Sequence, residues 1–157
     1  MLTLEKNSLS EEIEELVSLY GENRGSLLEI LGAIEKKYGY ISEFAQQEVA
    51  RLLNIHPVEV YSFISFFSFL HSKPQGRNMV RMCKTIACNM KGADNISAVI
   101  EKELGIKFGE TTKNRRVTLE YTNCLGMCDC APAMLVNGKI YTNLDVEKAI
   151  KIINELK

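Results

Sequence analysis

Two segments of the chain end in a pair of closely spaced cysteines: MVRMCKTIAC at residues 79–88 and VTLEYTNCLGMC at residues 117–128. The first segment opens on a short strand candidate, residues 79–82. The second opens on apolar residues that alternate with polar ones over residues 117–122, which is the period of a half-buried strand. Each pair of cysteines therefore lies at or just beyond the end of a predicted strand.

The spacing of the cysteines indicates a shared site. It is C-x4-C at Cys83 and Cys88 and C-x3-C at Cys124 and Cys128. Loops at the same ends of adjacent parallel strands lie close together, so four thiolates could converge from two loops, as a four-cysteine site requires. Structural zinc sites use similar spacing, so the spacing alone leaves both an iron–sulfur cluster and zinc open. Thiol–disulfide catalysis is disfavoured because the chain has no C-x-x-C motif.

A cluster held by four thiolates is a buried anion, and the surrounding loops must compensate its charge. We expect Gly92 and Gly126 to let backbone N–H groups approach the sulfurs closely. Lys84 and Lys91 supply positive charge nearby in the sequence.

The rest of the second half predicts a small α/β layer fold. Apolar residues at helical spacing follow Gly92, and Asn137-Gly138 between two short apolar stretches predicts a hairpin. Asn143 is a candidate cap for a last helix. The segment before these elements, residues 71–76, has the composition of a linker.

The first half reads as helices. The first is expected to begin at Ser10. Ser26 to Glu29 fits a capping box that opens a second helix, which ends at Gly39. A third follows Ser42, and Pro57 suits the first position of a fourth.

The first half and the linker contain two histidines and a run of phenylalanines, and we expect neither histidine to bind a metal. We expect His56 to be a structural residue at a helix entry and His71 to face solvent. Four phenylalanines fall within residues 63–69. Because one helix face cannot bury all of them, part of this run is expected to form a partner interface.

Composition excludes some classes of protein. The 157 residues carry 19 basic and 20 acidic side chains, which disfavours a nucleic-acid-binding face. The N-terminal residues show no secretory pattern, and the longest apolar run, residues 61–70, is far shorter than the roughly 20 residues of a membrane span. Five cysteines favour metal or redox chemistry over disulfides. We therefore expect a cytoplasmic protein without direct membrane insertion.

Three stretches carry a family resemblance: CKTIACNMKG at residues 83–92, YTNCLGMCDCAP at 121–132 and NGKIY at 137–141. They resemble the 24 kDa-type subunit of NADH dehydrogenase (complex I). The corresponding subunit of soluble NAD-linked hydrogenases and formate dehydrogenases is similar too. The helical first half also fits, so that the resemblance covers nearly the whole chain.

The resemblance implies an α+β protein: a helical domain, residues 1–75, followed by a thioredoxin-like [2Fe–2S] ferredoxin domain, residues 76–157. It implies one [2Fe–2S] cluster and a flavoprotein partner that binds FMN and NAD(H). Cys130 departs from the family pattern and leaves a fifth sulfur near the site. The implied cluster and metal ligands are Cys83, Cys88, Cys124 and Cys128.

The function implied by the resemblance is one-electron transfer between the cluster and the partner's flavin. We expect no catalytic residue and no catalysis by the isolated chain. As the parent complex we favour a soluble NAD-linked, electron-bifurcating hydrogenase with further iron–sulfur and hydrogenase-type subunits, over respiratory complex I or a formate dehydrogenase. A zinc-stabilised four-cysteine interaction module and a free-standing thioredoxin-like reductase are the alternatives.

Overall fold

The structure is a computed structural model that describes the backbone of residues 2–156 and the side chains of residues 7–156. The chain divides into two compact units, with the boundary between Pro74 and Gln75. Helices make up the first unit and a mixed sheet with helices the second, which confirms the predicted α+β class. Within residues 2–156, every helix is too short or too polar to span a lipid bilayer.

The first unit is helical, with a short 3-10 turn at Arg24–Ser26. Its core includes Ile13, Ile30 and Val49, which are fully buried. The α-helices are α1 (Leu2–Tyr20), α2 (Leu27–Tyr38), α3 (Glu43–Leu52) and α4 (Pro57–Phe66).

Three of the predicted helix ends in this unit are confirmed. The Ser42 side chain accepts a hydrogen bond from the Ala45 backbone N–H at 3.2 Å and caps α3. Helix α2 ends at Gly39, whose φ of 73° is in the left-handed region that glycine adopts without strain. Pro57 opens α4, where its missing N–H costs nothing.

One predicted helix start and one predicted cap are wrong, although α2 does begin directly after Ser26 as predicted. Helix α1 begins at Leu2 rather than at Ser10, because the Ser10 hydroxyl bonds the Glu48 carboxylate of α3 instead of capping a helix. The expected capping box at Ser26 does not form. The Ser26 hydroxyl donates to the Tyr20 carbonyl oxygen at 2.7 Å, which ties the end of α1 to the start of α2.

His71 does not face solvent, contrary to our prediction. Its side chain is 9% exposed, and its Nδ1 lies 2.6 Å from Oε1 of Glu35 on α2. Its backbone N–H donates to the other carboxylate oxygen at 3.1 Å, and its carbonyl accepts from Ile41 N at 2.7 Å. The chain segment after α4 is therefore held onto α2 by a buried polar contact.

The second unit is built on a four-stranded sheet with the order β2-β1-β3-β4. Strands β1 and β2 are parallel, β1 and β3 antiparallel, and β3 and β4 form a hairpin. The elements are β1 (Asn78–Cys83), α5 (Ile86–Met90), α6 (Ala93–Leu104), β2 (Val117–Thr122), β3 (Met134–Val136), β4 (Lys139–Tyr141) and α7 (Val146–Glu155).

The predicted hairpin is confirmed, and so are β1, β2 and α6. Asn137 and Gly138 both have positive φ, 49° and 84°, as a two-residue turn between twisted strands requires. Helix α7 is capped by Asp145, which accepts from Lys148 N at 2.7 Å, and not by Asn143 as predicted. Asn143 instead has a φ of 48° in the preceding turn.

Strand β2 is more buried than its alternating pattern predicts. Val117 and Leu119 are fully buried, and Thr118 between them is 2% exposed. The Thr118 hydroxyl accepts a hydrogen bond from Gly76 N at 2.7 Å and lies 2.8 Å from the Thr111 hydroxyl. The Thr118 side chain is therefore covered by hydrogen-bonded neighbours rather than by water.

Candidate metal centre

The register of the two parallel strands brings the two cysteine loops to one edge of the sheet. Cys83 is the last residue of β1 and lies opposite Thr122, the last residue of β2. Cys124 follows two residues later. Because β1 and β2 are parallel, the loops that leave them start side by side.

A third segment approaches the same edge. Strand β3 is antiparallel to β1, with Met134 opposite Met82. The residue before β3, Ala133, therefore lies beside the end of β1, and its carbonyl accepts from Cys83 N at 3.2 Å. Helix α5, between β1 and α6, contains the buried Cys88; this helix was not predicted.

The four predicted ligands form two pairs that differ in exposure. Cys83 and Cys88 are each 1% exposed. Cys124 and Cys128 are exposed. The site thus has a buried side, formed by the end of β1 and by α5, and an open side, formed by the loop after β2.

Within each pair the two cysteines interact. The Cys124 and Cys128 sulfurs lie 3.4 Å apart, and the interaction of the Cys83 and Cys88 thiols lowers the pKa of Cys83 and raises that of Cys88. Within residues 7–156, no group of three or more His, Cys, Asp and Glu side chains has the spacing of a site for one metal ion. The thiols are therefore arranged as two pairs.

Electrostatic interaction links the two pairs. In Cys88, burial raises the pKa of the thiol, and the charges of Cys83 and Cys124 raise it further. In Cys128, the hydrogen bond to Cys124 raises the pKa most, followed by the charge of Cys124, burial and the charges of Cys88 and Cys83. All four sulfurs therefore lie within range of one another's charge, and a bound cation would relieve this repulsion.

Cys83 differs from its buried neighbour. Burial raises the pKa of its thiol, but hydrogen bonds from the Thr85 side chain and backbone, together with those involving Cys88 and the Leu125 backbone, outweigh burial. The pKa of Cys83 therefore lies below its ordinary value. Of the buried pair, Cys83 is the thiol that the protein stabilises in the charged form that binds metal.

Backbone N–H groups supply much of the remaining compensation. Gly126 N donates to the Cys124 sulfur at 3.4 Å, from a residue with a φ of 78°. This confirms the expected role of Gly126. The Ala133 backbone makes a hydrogen bond to Cys88 that lowers its pKa. Gly92 was expected to contribute as well, but its N–H donates to the Asn89 carbonyl at 2.9 Å, because it closes the turn after α5.

The two nearby lysines differ in what they contact. The Lys84 ammonium lies 5.8 Å from the centre of the Tyr121 ring, and that ring stacks on Phe108 with the ring centres 4.1 Å apart. Lys91 is exposed after α5, and its backbone N–H donates to the Cys88 carbonyl at 3.1 Å. Lys84 therefore sits on the aromatic pair at the end of β2, directly after Cys83 in the chain.

Cys130 belongs to a different local network. Its sulfur donates to Asp129 Oδ2 at 3.4 Å. Its pKa is raised by that hydrogen bond, by the charge of the same carboxylate and by burial, while Asn143 lowers it. Its carbonyl accepts from Asn143 N at 2.7 Å. The fifth thiol is therefore engaged by Asp129 and the turn before α7.

Sequence reasoning missed three contributors to the site: Thr85, Leu125 and Ala133. A hydroxyl two residues after a candidate ligand was a possible signal for Thr85, because side chains at that distance reach back to a sulfur. The role of Ala133 carried no local signal, since it depends on the antiparallel pairing of β3 with β1.

Residues 13–157 match the family model of the thioredoxin-like [2Fe–2S] ferredoxins. The chain belongs to this family. The model covers both the helical first half from Ile13 onward and the whole cysteine-bearing second half. Membership shows that the cofactor is a [2Fe–2S] cluster, and so it decides between iron–sulfur and the zinc alternative that cysteine spacing left open.

Relatives of similar length support the same family. The E subunit of NADH-quinone oxidoreductase from Buchnera aphidicola subsp. Acyrthosiphon pisum is 35% identical over 145 residues, 92% of this chain and 90% of the relative. The same subunit of the Escherichia coli (strain K12) enzyme is 32% identical over 147 residues, 94% of this chain and 89% of the relative.

A solved structure shares the fold. NAD+-reducing [NiFe]-hydrogenase in its air-oxidized state matches with a TM-score of 0.70 at 23% identity. The match covers 80% of this chain and 22% of the hydrogenase chain. This chain thus corresponds to about a fifth of that longer chain.

The donor set fits the family's cluster. Thiolate sulfur is the ligand that iron–sulfur clusters require, and two irons take two thiolates each. The structure presents two interacting pairs, with N–H or O–H donors at Cys83, Cys88 and Cys124. Such donors are the groups that stabilise negative charge on cluster ligands.

Proposed function

We propose that this chain is the [2Fe–2S] electron-transfer subunit of an NAD(H)-linked oxidoreductase complex, with Cys83, Cys88, Cys124 and Cys128 as the cluster ligands. The observation that carries the proposal is the convergence of two cysteine pairs at one sheet edge, in a chain that belongs to the thioredoxin-like [2Fe–2S] ferredoxin family.

The bound cluster would supply one-electron redox chemistry. The chain's own residues hold and shield it: the end of β1 and α5 bury Cys83 and Cys88. Backbone and side-chain donors stabilise the sulfur charges. The exposed pair, Cys124 and Cys128, leaves one side of the site open to a partner. Since no bond-making group is required, we expect no catalysis by the isolated chain.

The redox partner in this proposal is a flavoprotein subunit that binds FMN and NAD(H). The relatives are named as subunits of NADH-quinone oxidoreductase, and the solved structure with the same fold is that of an NAD+-reducing hydrogenase. Both names describe enzymes that exchange electrons with a nicotinamide cofactor. A flavin can take up the two electrons of a hydride and release them one at a time, so a subunit with a one-electron carrier is a suitable partner for it.

As the parent complex we favour a soluble NAD-linked hydrogenase of the electron-bifurcating kind, with further iron–sulfur and hydrogenase-type subunits. The fold shared with the hydrogenase chain supports this choice. The second candidate is a respiratory NADH-quinone oxidoreductase, which the names of the 32–35% identical relatives favour. A formate dehydrogenase is a further member of the same class.

Two further parts of the proposal concern organisation and location. We propose residues 1–75 as a helical docking domain and residues 76–157 as the cluster domain. We place the protein in the cytoplasm, because all five cysteines are free thiols and a reducing compartment keeps cluster ligands in that state.

The experiment that tests the proposal is purification of the native complex from the source organism through a tag on this chain. Mass spectrometry then identifies the co-purifying subunits. A flavoprotein with hydrogenase subunits supports the first candidate, and quinone-reducing membrane subunits support the second. Recovery of the iron-containing chain without any flavoprotein would contradict the proposed partnership.

A further inference from the structure

Thr85 occupies the N-cap position of α5 but does not cap the helix. Its backbone is extended, with φ −78° and ψ 160°, and its side chain makes no capping hydrogen bond. A threonine at this position usually accepts a hydrogen bond from a backbone N–H of the first turn. Here the hydroxyl instead lies 3.2 Å from the sulfur of Cys83.

The direction of this hydrogen bond follows from the charge state of the ligand. In a free thiol either atom could donate, but a cysteine bound to iron is a thiolate and carries no proton. The Thr85 hydroxyl must then donate to the sulfur. Because Cys83 is 1% exposed, water competes little for that sulfur, and a hydrogen bond to charge is stronger in such surroundings.

The contact acts on the charge of the sulfur and not only on its position. The Thr85 hydroxyl lies within hydrogen-bonding distance of a buried sulfur that is a thiolate when it binds iron. The environment of Cys83 therefore favours negative charge on this sulfur.

We propose that Thr85 is a positioning residue whose hydrogen bond to the Cys83 sulfur raises the reduction potential of the cluster. The proposal rests on the ligand role of Cys83 proposed above. One-electron reduction increases the negative charge on the ligand sulfurs, so a donor stabilises the reduced state more than the oxidised state.

Thr85 can be tested separately from the other donors of the site. Within the described part of the chain, Leu125, Ala133 and Gly126 reach the ligand sulfurs through backbone groups. Side-chain substitution does not remove those. Thr85 supplies a side-chain donor, so a change of one hydroxyl isolates its contribution.

The test uses the full chain with its cluster in place. Thr85→Val keeps the side-chain shape without the hydroxyl, and Thr85→Ser keeps the hydroxyl. Thr142→Val, in the turn after β4, is the matched control. Iron and sulfide content are measured first, and the midpoint potential is then determined by redox titration followed by electron paramagnetic resonance.

We expect Thr85→Val to lower the equilibrium constant for reduction about tenfold, as for loss of a hydrogen bond to a charged group. For a one-electron couple this corresponds to about 59 mV. Thr85→Ser and Thr142→Val should keep the wild-type potential. An unchanged potential in Thr85→Val, or equal shifts in the valine and serine variants, would overturn the proposal.

Two further variants keep the outcome decisive. Thr85→Ala removes the same hydroxyl with a smaller side chain and should shift the potential in the same direction. If both hydroxyl-free variants lose the cluster while Thr85→Ser retains it, Thr85 acts in assembly and the tuning role is wrong. Cys83→Ser tests the ligand role by itself: a full cluster with an unchanged spectrum in that variant would remove the basis of both proposals.

Discussion

The sulfur of Cys128 lies 3.4 Å from that of Cys124, whereas the sulfur of Cys130, two residues on, donates to Asp129 at 3.4 Å. The two neighbouring cysteines therefore face different partners. Gly126, with a φ of 78°, lies in the tight turn between Cys124 and Cys128. A protonated thiol that donates to a carboxylate is not in the state that binds iron.

The first prediction concerns these two cysteines. Cys128→Ser should lose or severely destabilise the cluster, because a serine oxygen is a harder and poorer ligand for this iron than thiolate. Cys130→Ser, the matched control, should keep the iron content and the visible spectrum, with at most a modest change in potential. Iron analysis and absorption spectra of the purified variants measure both.

Ligand rescue is tested by the double variant. If Cys130 replaces a missing Cys128, the cluster survives Cys128→Ser but disappears when Cys130→Ser is added. Loss of iron in Cys130→Ser alone would show that the ligand assignment is wrong.

The metal content itself is the second prediction. The purified chain should be red-brown and contain two irons and two acid-labile sulfides, because two cysteine pairs can each serve one iron. Removal of the cluster should lower the thermal stability of the second unit, since binding to the native site contributes folding free energy. Metal and sulfide analysis, with calorimetry before and after chelation, measures both effects. One zinc per chain without iron would contradict the assignment.

The phenylalanine run gives the third prediction. Phe66 is 80% and Phe69 46% exposed, although Phe67 contacts both rings at 5.1 and 5.4 Å. We expect this surface to contact the flavoprotein, because apolar side chains this exposed are typical of interaction sites. Phe66→Ser with Phe69→Ser should weaken co-purification of the flavoprotein at least tenfold while the iron content is kept, if the pair acts as an interface anchor.

The control for this prediction is Leu19→Ser, which changes another exposed apolar residue of the same unit, 73% exposed on α1. That variant should co-purify the flavoprotein like the wild type. Full recovery of the flavoprotein with the double phenylalanine variant would argue against this surface.

The fourth prediction concerns the contact of α1 with α3. Glu48 accepts hydrogen bonds from Arg51 at 2.7 Å and from Ser10 of α1, and these lower its pKa below the ordinary 4.5. A lowered pKa in the folded state contributes stability that is present above pH 4.5 and lost as the pH falls through the lower folded value. Glu48→Gln should therefore reduce the unfolding temperature near neutral pH.

The difference between wild type and Glu48→Gln should disappear below the folded pKa of Glu48. Thermal unfolding between about pH 3 and pH 7 measures it. Glu22→Gln, a change at an exposed carboxylate outside this contact, is the control. A difference that stays constant over the whole pH range would indicate that Glu48 acts through packing instead of charge.

Much of the fold was predictable because its signals are local. The Asn137-Gly138 turn, the glycine end of α2, the serine cap of α3 and the proline start of α4 each depend on a few neighbouring residues. Three of the errors occurred where a residue of another segment took the side chain. Ser10 bonds Glu48, Ser26 bonds Tyr20, and His71 bonds Glu35.

For the site, the donor set and its position after two strands could be predicted, because cysteine spacing and strand period are properties of short segments. The burial of one pair, the effect of the Ala133 backbone on Cys88 and the bond of Cys130 to Asp129 could not be predicted and were found only in the folded chain. Burial and hydrogen bonding depend on how β1, β2 and β3 pair. Strand pairing joins residues far apart in the chain, and no local pattern encodes the environment that results.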